Sequence, residues 1–465
     1  MNALQILCLR DILCFRIEEI YKRRINPFVK VKNRKGKVLM NARELAINVL
    51  YKVEFGEGYS NVALDKELNK SDLSSVDKAL ASEIVYGVLT WKITLDEIIK
   101  RYSSIRLKKI SPWILNIMRS GIYQIVFLDK IPESAAVNES VNLAKKYGHE
   151  ASARFVNAIL RKIDKNEMEK LMEYLWAKPQ MTEEELISII TSHPIWMVQE
   201  LLKQYDKKFV TEVLNANNIT PDITLRANTL KTSRDELFKL LSLKNVDCKK
   251  GKLRDSVKVR KLCDFGTGLY SVQDEAAQLS CLKLDPKPGE RVLDACSAPG
   301  GKTTYLAELK NNQGKVDAWD IHEHRVKLVQ EAAKKLGISI ISASVKDAMD
   351  YSTGLNGKYD KVLLDVPCSG LGVIRKKPDI KWTRMQEDLE SLVEVQTKIL
   401  DTCSEYVRTG GRLVYSTCTI LKQENEEQVE KFLKKHTEFN LVEKINLYPN
   451  VDETDGFFIA VFDRK

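Results

Sequence analysis

Apolar positions recur three and four residues apart from Asn41 to about residue 165. They run Leu45, Val49, Leu50 and Val53, then Leu80, Ile84, Val85, Val88 and Leu89, then Ile114, Ile117, Met118, Ile122, Tyr123, Ile125, Val126 and Leu128. That period predicts amphipathic helices packed as an all-α bundle. Pro112 after Ser111 fits the first turn of a helix, Pro132 interrupts the run, and further helices are expected from Ser134 and Arg154. Residues 166 to about 190 are polar and acidic and read as a linker. A small α+β region follows, with a strand at Ile223–Ala227 and a helix over 233–243. From about residue 270 the pattern changes again. Short runs rich in β-branched and aliphatic residues, at 291–295, 315–321, 339–344, 361–366, 412–416, 439–442 and 457–462, alternate with helical stretches. This alternation predicts a doubly wound, mostly parallel sheet. The last run follows another strand with no helix between, so it is expected to pair antiparallel at an edge.

Composition narrows the class only modestly. The 465 residues suffice for two to four domains, and 30% charged with 44% hydrophobic residues is ordinary for a soluble protein. The net charge of +10 favours a polyanionic partner, but weakly. Ten Lys/Arg against three Asp/Glu fall in residues 1–39, so this basic extension carries most of the excess. It is expected to be dispensable or a misplaced gene start, with the functional chain beginning near Met40; its rival is a basic RNA-binding arm. Nine cysteines include no Cys-x-x-Cys pair and do not cluster with the five histidines, so no metal is expected. Their scatter fits reduced thiols in a cytoplasm. No run reaches the length of a membrane span. Lysines 244, 249, 250, 252, 258 and 261 make the α+β region basic, read as a solvated surface or as a nucleic-acid face.

The chemistry gathers at the ends of the strand-like runs. Asp294-Ala-Cys-Ser-Ala-Pro-Gly-Gly-Lys302 leaves a strand and opens a helix, whose free N–H groups suit an anion. It is neither the dinucleotide fingerprint nor a P-loop. Asp320, Asp347 and Asp365 follow the next three strands. A carboxylate at Asp320 suits a ribose, and one at Asp347 an adenine amino group. Several carboxylates around one pocket favour a cationic ligand, and S-adenosyl-L-methionine, a sulfonium, fits. Two cysteines, Cys368 and Cys418, close the fourth and fifth runs. A lone cysteine is more often inert packing. Two at strand ends beside a cofactor loop point to thiol chemistry, such as thiolate addition to C6 of a cytosine, which makes C5 able to accept a methyl group.

The motifs together are specific. The sequence resembles the bacterial RsmB/Sun ribosomal RNA cytosine-5 methyltransferases of the Nop/Sun family. The carrying residues are Asp294 to Thr303, Asp365-Val-Pro-Cys-Ser-Gly-Leu-Gly-Val-Ile-Arg375, Pro378-Asp-Ile-Lys-Trp382, Tyr415-Ser-Thr-Cys-Thr419, Val272-Gln-Asp-Glu-Ala-Ala-Gln278 and Asp455-Gly-Phe-Phe-Ile-Ala460. The resemblance implies a NusB-like helical RNA-binding domain (40–170), a small α+β RNA-binding or linker domain (190–270), and a Rossmann-like catalytic domain (271–465). It implies Cys418 as the nucleophile and Cys368 as the residue assisting release. Asp365 would sit at the methyl-transfer pocket, with Lys302 helping to position the base. Cys296, Ser297, Ala298, Pro299, Gly300, Gly301 and Lys302 would hold the methionine end of S-adenosyl-L-methionine, and Asp320, Asp347 and Asp365 the rest of the cofactor. The implied partner is 16S rRNA, free or in an early assembly particle, met by a cytoplasmic monomer with no membrane. The alternatives are the same chemistry on tRNA or 23S rRNA, or a non-catalytic NusB-like RNA-binding or antitermination protein.

Overall fold

The computed structural model describes residues 40–55, 60–261 and 268–465. The basic extension 1–39, with the expectation placed on it, lies outside the described residues. The described residues divide into two compact units: residues 40–55, 62–85 and 108–164 form one, and residues 60–61, 86–107, 165–261 and 268–465 the other.

The first unit is helical throughout its described elements. Asn41 caps the helix Ala42–Glu54 by accepting from the Glu44 N–H. Ser111 caps Pro112–Phe127 through the Ile114 N–H, with Pro112 in the first turn, as the sequence predicts. Glu133–Tyr147 and Glu150–Leu160 follow. The periodic residues Leu45, Val49, Ile84, Val85, Ile117, Met118, Ile122 and Ile125 are all buried, so the three-and-four spacing marks the core face.

In the second unit, the acidic stretch expected as a linker is folded. It forms the helices Glu167–Trp176 and Glu183–Thr191, the latter started by a Thr182/Glu185 capping box. The apolar residues that anchor them, Leu171, Leu175 and Ile187, are buried but few, so the polar composition masked the period. Next comes a four-stranded antiparallel sheet of β1 (Ile223–Ala227), β2 (Cys248–Lys250), β3 (Ser256–Val259) and β4 (Tyr270–Val272), in the order β2-β3-β1-β4. The helix Arg234–Leu243 covers one face, packing Leu237 and Leu241 on Leu225, Ala227, Val257 and Val259. Four of the lysines here are paired: Lys249 with Asp222, Lys250 with Asp235, Lys252 with Glu453 and Lys258 with Glu275. That pairing favours the surface reading for Lys249, Lys250 and Lys252, whereas Lys258 is a buried scaffold residue.

The larger sheet holds β5 (Arg291–Asp294), β6 (Lys315–Asp320), β7 (Ile341–Val345), β8 (Tyr359–Asp365), β9 (Val407–Thr417), β10 (Phe439–Leu447) and β11 (Phe457–Arg464). Their order is β10-β11-β9-β8-β5-β6-β7, with β5 to β9 parallel and β11 antiparallel to both its neighbours. The antiparallel strand therefore sits one place in from the edge. Burial explains the position: Phe457 to Phe462 are all buried, whereas β10 shows an exposed Asn440-Leu-Val442 stretch that tolerates the rim. The chain order reverses between β5 and β8. The crevice beyond the carboxyl ends of such strands is where α/β sheets bind ligands.

Candidate active site

Register brings the motif residues together. On adjacent parallel strands Asp365 of β8 lies opposite Ser416 of β9. The Ser416 hydroxyl donates to Asp365 Oδ1 at 3.1 Å, and the Val366 N–H to the Ser416 carbonyl at 3.1 Å. Beyond these paired positions the strands run out and the two cysteines meet. Cys368 Sγ and Cys418 Sγ are 3.2 Å apart, and the Cys418 N–H points at Cys368 Sγ at 3.3 Å. Lys302, in the first turn of the helix Gly301–Leu309, reaches Asp365 Oδ2 at 2.7 Å and lies 5.2 Å from the centre of the Phe457 ring. Thus Lys302, Asp365, Ser416, Cys368 and Cys418 form one cluster at the crevice.

A buried polar frame holds the two cysteine loops. Glu424 accepts from the Ser369 N–H at 2.8 Å, from the Ser369 hydroxyl, and from Gln396 Nε2 at 2.9 Å. Gln396 also donates to the Pro367 carbonyl, and Ser369 Oγ lies 2.8 Å from Thr419 Oγ1. The Tyr415 hydroxyl donates to the Glu424 carbonyl, and Asn425 joins Thr417 and the Thr419 carbonyl. One carboxylate therefore links the loop after β8 to the loop after β9. A second clamp gathers distant motifs: Lys376 bridges Asp274 and Asp455, and Arg375 pairs with Asp455. At the same place Gly372 and Gly456 approach so closely that a Cβ on Gly372 would lie 1.9 Å from the Gly456 carbonyl oxygen. Lys381 of the Pro378–Trp382 motif is a scaffold residue, buried among the carbonyls of Thr90 and Ser192 and the Asn218 side chain.

Electrostatics separate the titratable groups. The hydrogen bond with Cys418, then burial, push the Cys368 thiol well up, and the charges of Cys418, Glu424 and Asp365 add to the effect. Burial lifts Cys296 as well. Lys302 is held above its usual value: burial opposes its charge, but Asp365 outweighs burial. Asp294 at the end of β5 is pushed up to about 7 by burial, opposed by the Thr303 hydroxyl that donates to it at 2.7 Å.

The cofactor-loop residues divide by role. Gly300, at φ 105°, takes a left-handed turn that a side chain would strain, and its N–H donates to the Ser297 carbonyl. Ser297 is less available than the sequence suggests: both its hydroxyl and its N–H donate to the Trp319 carbonyl, tying the loop to β6. The Ala298 carbonyl accepts from Arg325; Cys296 packs at the margin of the sheet core, and Pro299 is exposed. Asp320 ends β6, accepts from the His322 N–H and faces Arg325, while Asp347 accepts from the Met349 N–H in its own turn. Among the described residues no hydrogen bond links either carboxylate to the Lys302–Cys418 cluster. Residues that the sequence left unmarked are Glu424, Gln396 and Arg226. Only Arg226 left a local trace, as the one charge in an otherwise uncharged strand.

Comparison with known proteins agrees with this architecture. Residues 281–463 match the 16S rRNA methyltransferase RsmB/F model, residues 40–165 the NusB family, and residues 193–266 a ferredoxin-like domain of RsmF/B-like methyltransferases. The chain is 38% identical to the probable ribosomal RNA small subunit methyltransferase B of Bacillus subtilis, over 91% of this chain and 99% of that protein. It is 33% identical to ribosomal RNA small subunit methyltransferase B of Escherichia coli K12, with the same coverage. Among solved structures it superimposes on PH0851 with a TM-score of 0.75 at 27% identity, over 92% of this chain and all of that one. A methyltransferase homolog from Pyrococcus horikoshii matches with a TM-score of 0.55 at 28% identity, over 62% of this chain and all of that one. A mostly parallel sheet carrying paired cysteines, a NusB-family helical region and relatives of this closeness lead to one conclusion: the chain belongs to the RsmB/F family of 16S rRNA methyltransferases.

Proposed function

We infer that this methyltransferase forms 5-methylcytosine at one cytosine of 16S rRNA, through a covalent bond between Cys418 and C6 of the base. The observation that carries the reading is the 3.2 Å contact of two thiols beside the Lys302–Asp365 pair. Cys418 gives its proton to water and adds to C6, and the C5=C6 π electrons move to C5. S-adenosyl-L-methionine supplies the electrophilic methyl group that C5 takes. The C5 proton then passes to water, and the electron pair of that C–H bond re-forms C5=C6 as the Cys418–C6 bond breaks and its electron pair returns to the Cys418 sulfur. Cys368 is the thiol of the pair that keeps its proton, because its contact with Cys418, its burial and the nearby carboxylates all disfavour its thiolate. It is therefore placed to assist release by returning a proton to the Cys418 sulfur. Asp365 orients Lys302, and Lys302 in turn steadies the base.

The residues present fit S-adenosyl-L-methionine. The acidic side chains of Asp320 and Asp365, which end β6 and β8, and of Asp347, just beyond β7, suit a ligand with a cationic centre, and the helix start at Gly301 suits its carboxylate. Two buried polar atoms at this loop, Gln273 Nε2 and Asp294 Oδ1, lack partners within the protein. The names of the relatives support small-subunit rRNA as substrate, and we propose that it is met in the cytoplasm. Among the described residues no helix is long and apolar enough to cross a membrane. Bisulfite sequencing and nucleoside mass spectrometry of 16S rRNA from a deletion strain test the proposal. One 5-methylcytosine should vanish and return on complementation; loss of an N4-methyl group, or no change in 16S rRNA, would overturn it.

A further inference from the structure

We propose that Gln273, oriented by Arg226, belongs to the cofactor site and donates a hydrogen bond from Nε2 to the carboxylate of the methionine moiety. The inference rests on S-adenosyl-L-methionine being the cofactor. It starts from the alternation of β1. Leu225 and Ala227 face the core of the small sheet, so Arg226 projects the other way, onto the helix Gly301–Leu309. There its guanidinium is fully buried. It donates to the Gly301 carbonyl at 2.7 Å, to Thr304 Oγ1 at 3.2 Å, to Glu308 Oε1 at 2.7 Å and to Gln273 Oε1.

A guanidinium has only donors, so the Gln273 atom that faces it must be the carbonyl oxygen. That fixes which way the amide lies, and Nε2 points away from Arg226. Gln273 is only 7% exposed, and Nε2 is buried with no acceptor among the described residues. A buried donor without a partner is rare in native proteins and marks a place where something else completes the bond. Its location is defined by Gly301, the first residue of the helix: a Cβ there would lie 3.8 Å from Nε2. No side chain at Gly301 stands between the amide and the helix start.

The helix start is itself short of acceptors. The Gly300 N–H is taken by the Ser297 carbonyl, and Thr304 is the first residue to bond back, to the Gly300 carbonyl. The N–H groups of Gly301, Lys302 and Thr303 thus precede the first intrahelical bond and remain available to an anion. The Lys302 ammonium is engaged by Asp365. A carboxylate at this helix start therefore meets backbone donors and the Gln273 amide rather than a free lysine. The same Arg226 that aims the amide also ties β1 of the small sheet to the loop.

The test compares two ligands by calorimetry on the full chain. S-adenosyl-L-methionine has the carboxylate; 5′-methylthioadenosine lacks the whole amino-acid end. Gln273→Leu should weaken binding of S-adenosyl-L-methionine by about ten- to a hundredfold, the range of one hydrogen bond to a charged group. Binding of 5′-methylthioadenosine should be unchanged, while the melting temperature of the ligand-free chain should fall, because the buried Arg226 loses one acceptor. Gln273→Glu keeps a partner for Arg226 but turns a second carboxylate toward the first, and should weaken S-adenosyl-L-methionine more than Leu does. Equal affinity of Gln273→Leu and wild type for S-adenosyl-L-methionine, or parallel loss of both ligands, would overturn the assignment. A wild-type chain that binds 5′-methylthioadenosine and S-adenosyl-L-methionine equally would do the same. No binding of S-adenosyl-L-methionine by wild type would instead bring down the proposed function on which the assignment rests.

Discussion

Replacing Glu424 by alanine tests the frame that brings the two cysteines together. The carboxylate is fully buried and receives three donors: the Ser369 N–H, the Ser369 hydroxyl and Gln396 Nε2. One of these has a second acceptor, since Ser369 Oγ can turn to Thr419 Oγ1. The Ser369 N–H and the Gln396 N–H that faces Glu424 have none and are orphaned, while the other Gln396 N–H keeps the Pro367 carbonyl. Hydrogen bonds to a charged group contribute about 1.5–3 kcal/mol each, and a buried donor left unpaired costs about 1–3 kcal/mol. With two N–H groups orphaned, the expected loss is about 2–6 kcal/mol, within the total stability of about 5–15 kcal/mol typical of a folded protein. The variant should therefore fold, with a lower urea midpoint and an unchanged slope. Its chemistry should suffer more, because Cys368 rides on the loop that is released. Displacement of a reacting group by about 1 Å can cost about a hundredfold in rate. Urea titration and single-turnover methylation of 16S rRNA read the two effects separately. Wild-type stability together with wild-type turnover would refute the reasoning.

Other consequences follow from the same geometry. Asp294 has its carboxyl lifted by burial from the usual 3.8 to about 7. Between those values the unfolded chain has released a proton that the folded chain keeps, so this group lowers stability as pH rises from about 4 to about 7 and has no further effect above that. Asp294→Asn should remove that slope, and identical pH dependence of melting in variant and wild type would contradict it. Arg226→Met leaves Glu308 buried without its partner and should cost about 3–5 kcal/mol, while the double variant with Glu308→Leu should recover most of this in chemical denaturation; a double variant no more stable than the single would argue against the pair. Gly372→Ala forces a methyl group against the Gly456 backbone and should cost about 1–3 kcal/mol, with activity falling as the loop behind Cys368 shifts. Unchanged melting would mean that the close approach is not tight.

What the sequence disclosed was set by locality. Strand–helix alternation and the Asp365 and Cys418 positions were readable because each depends on a few adjacent residues. The place of β11 inside the sheet was not, since strand order depends on pairing between distant segments. Its signal was present all the same, in the unbroken apolar run Phe457 to Phe462. The helices at Glu167–Trp176 and Glu183–Thr191 escaped because three buried apolar residues are too few to set a period against many charges. Arg226 and Gln273 bond across 47 residues, and Arg226 and Glu308 across 82, so neither link leaves a local pattern. Ser297 shows the opposite case. A motif position suggested a ligand contact, and the hydroxyl serves the scaffold. Glu424 stands six residues after Cys418 in an acidic stretch that reads as a solvated helix start. Only the fold turns it inward.

The central claim is a division of labour between two thiols in contact, and the most direct measurement is of the bond that one makes. Cys368→Ala protein incubated with unmethylated 16S rRNA and S-adenosyl-L-methionine, then denatured and resolved by electrophoresis, should show RNA joined to protein. Peptide mass spectrometry should place the link on Cys418 and one cytosine, and Cys418→Ala in the same background should abolish it. Free RNA carrying normal amounts of 5-methylcytosine after Cys418→Ala alone would contradict the account.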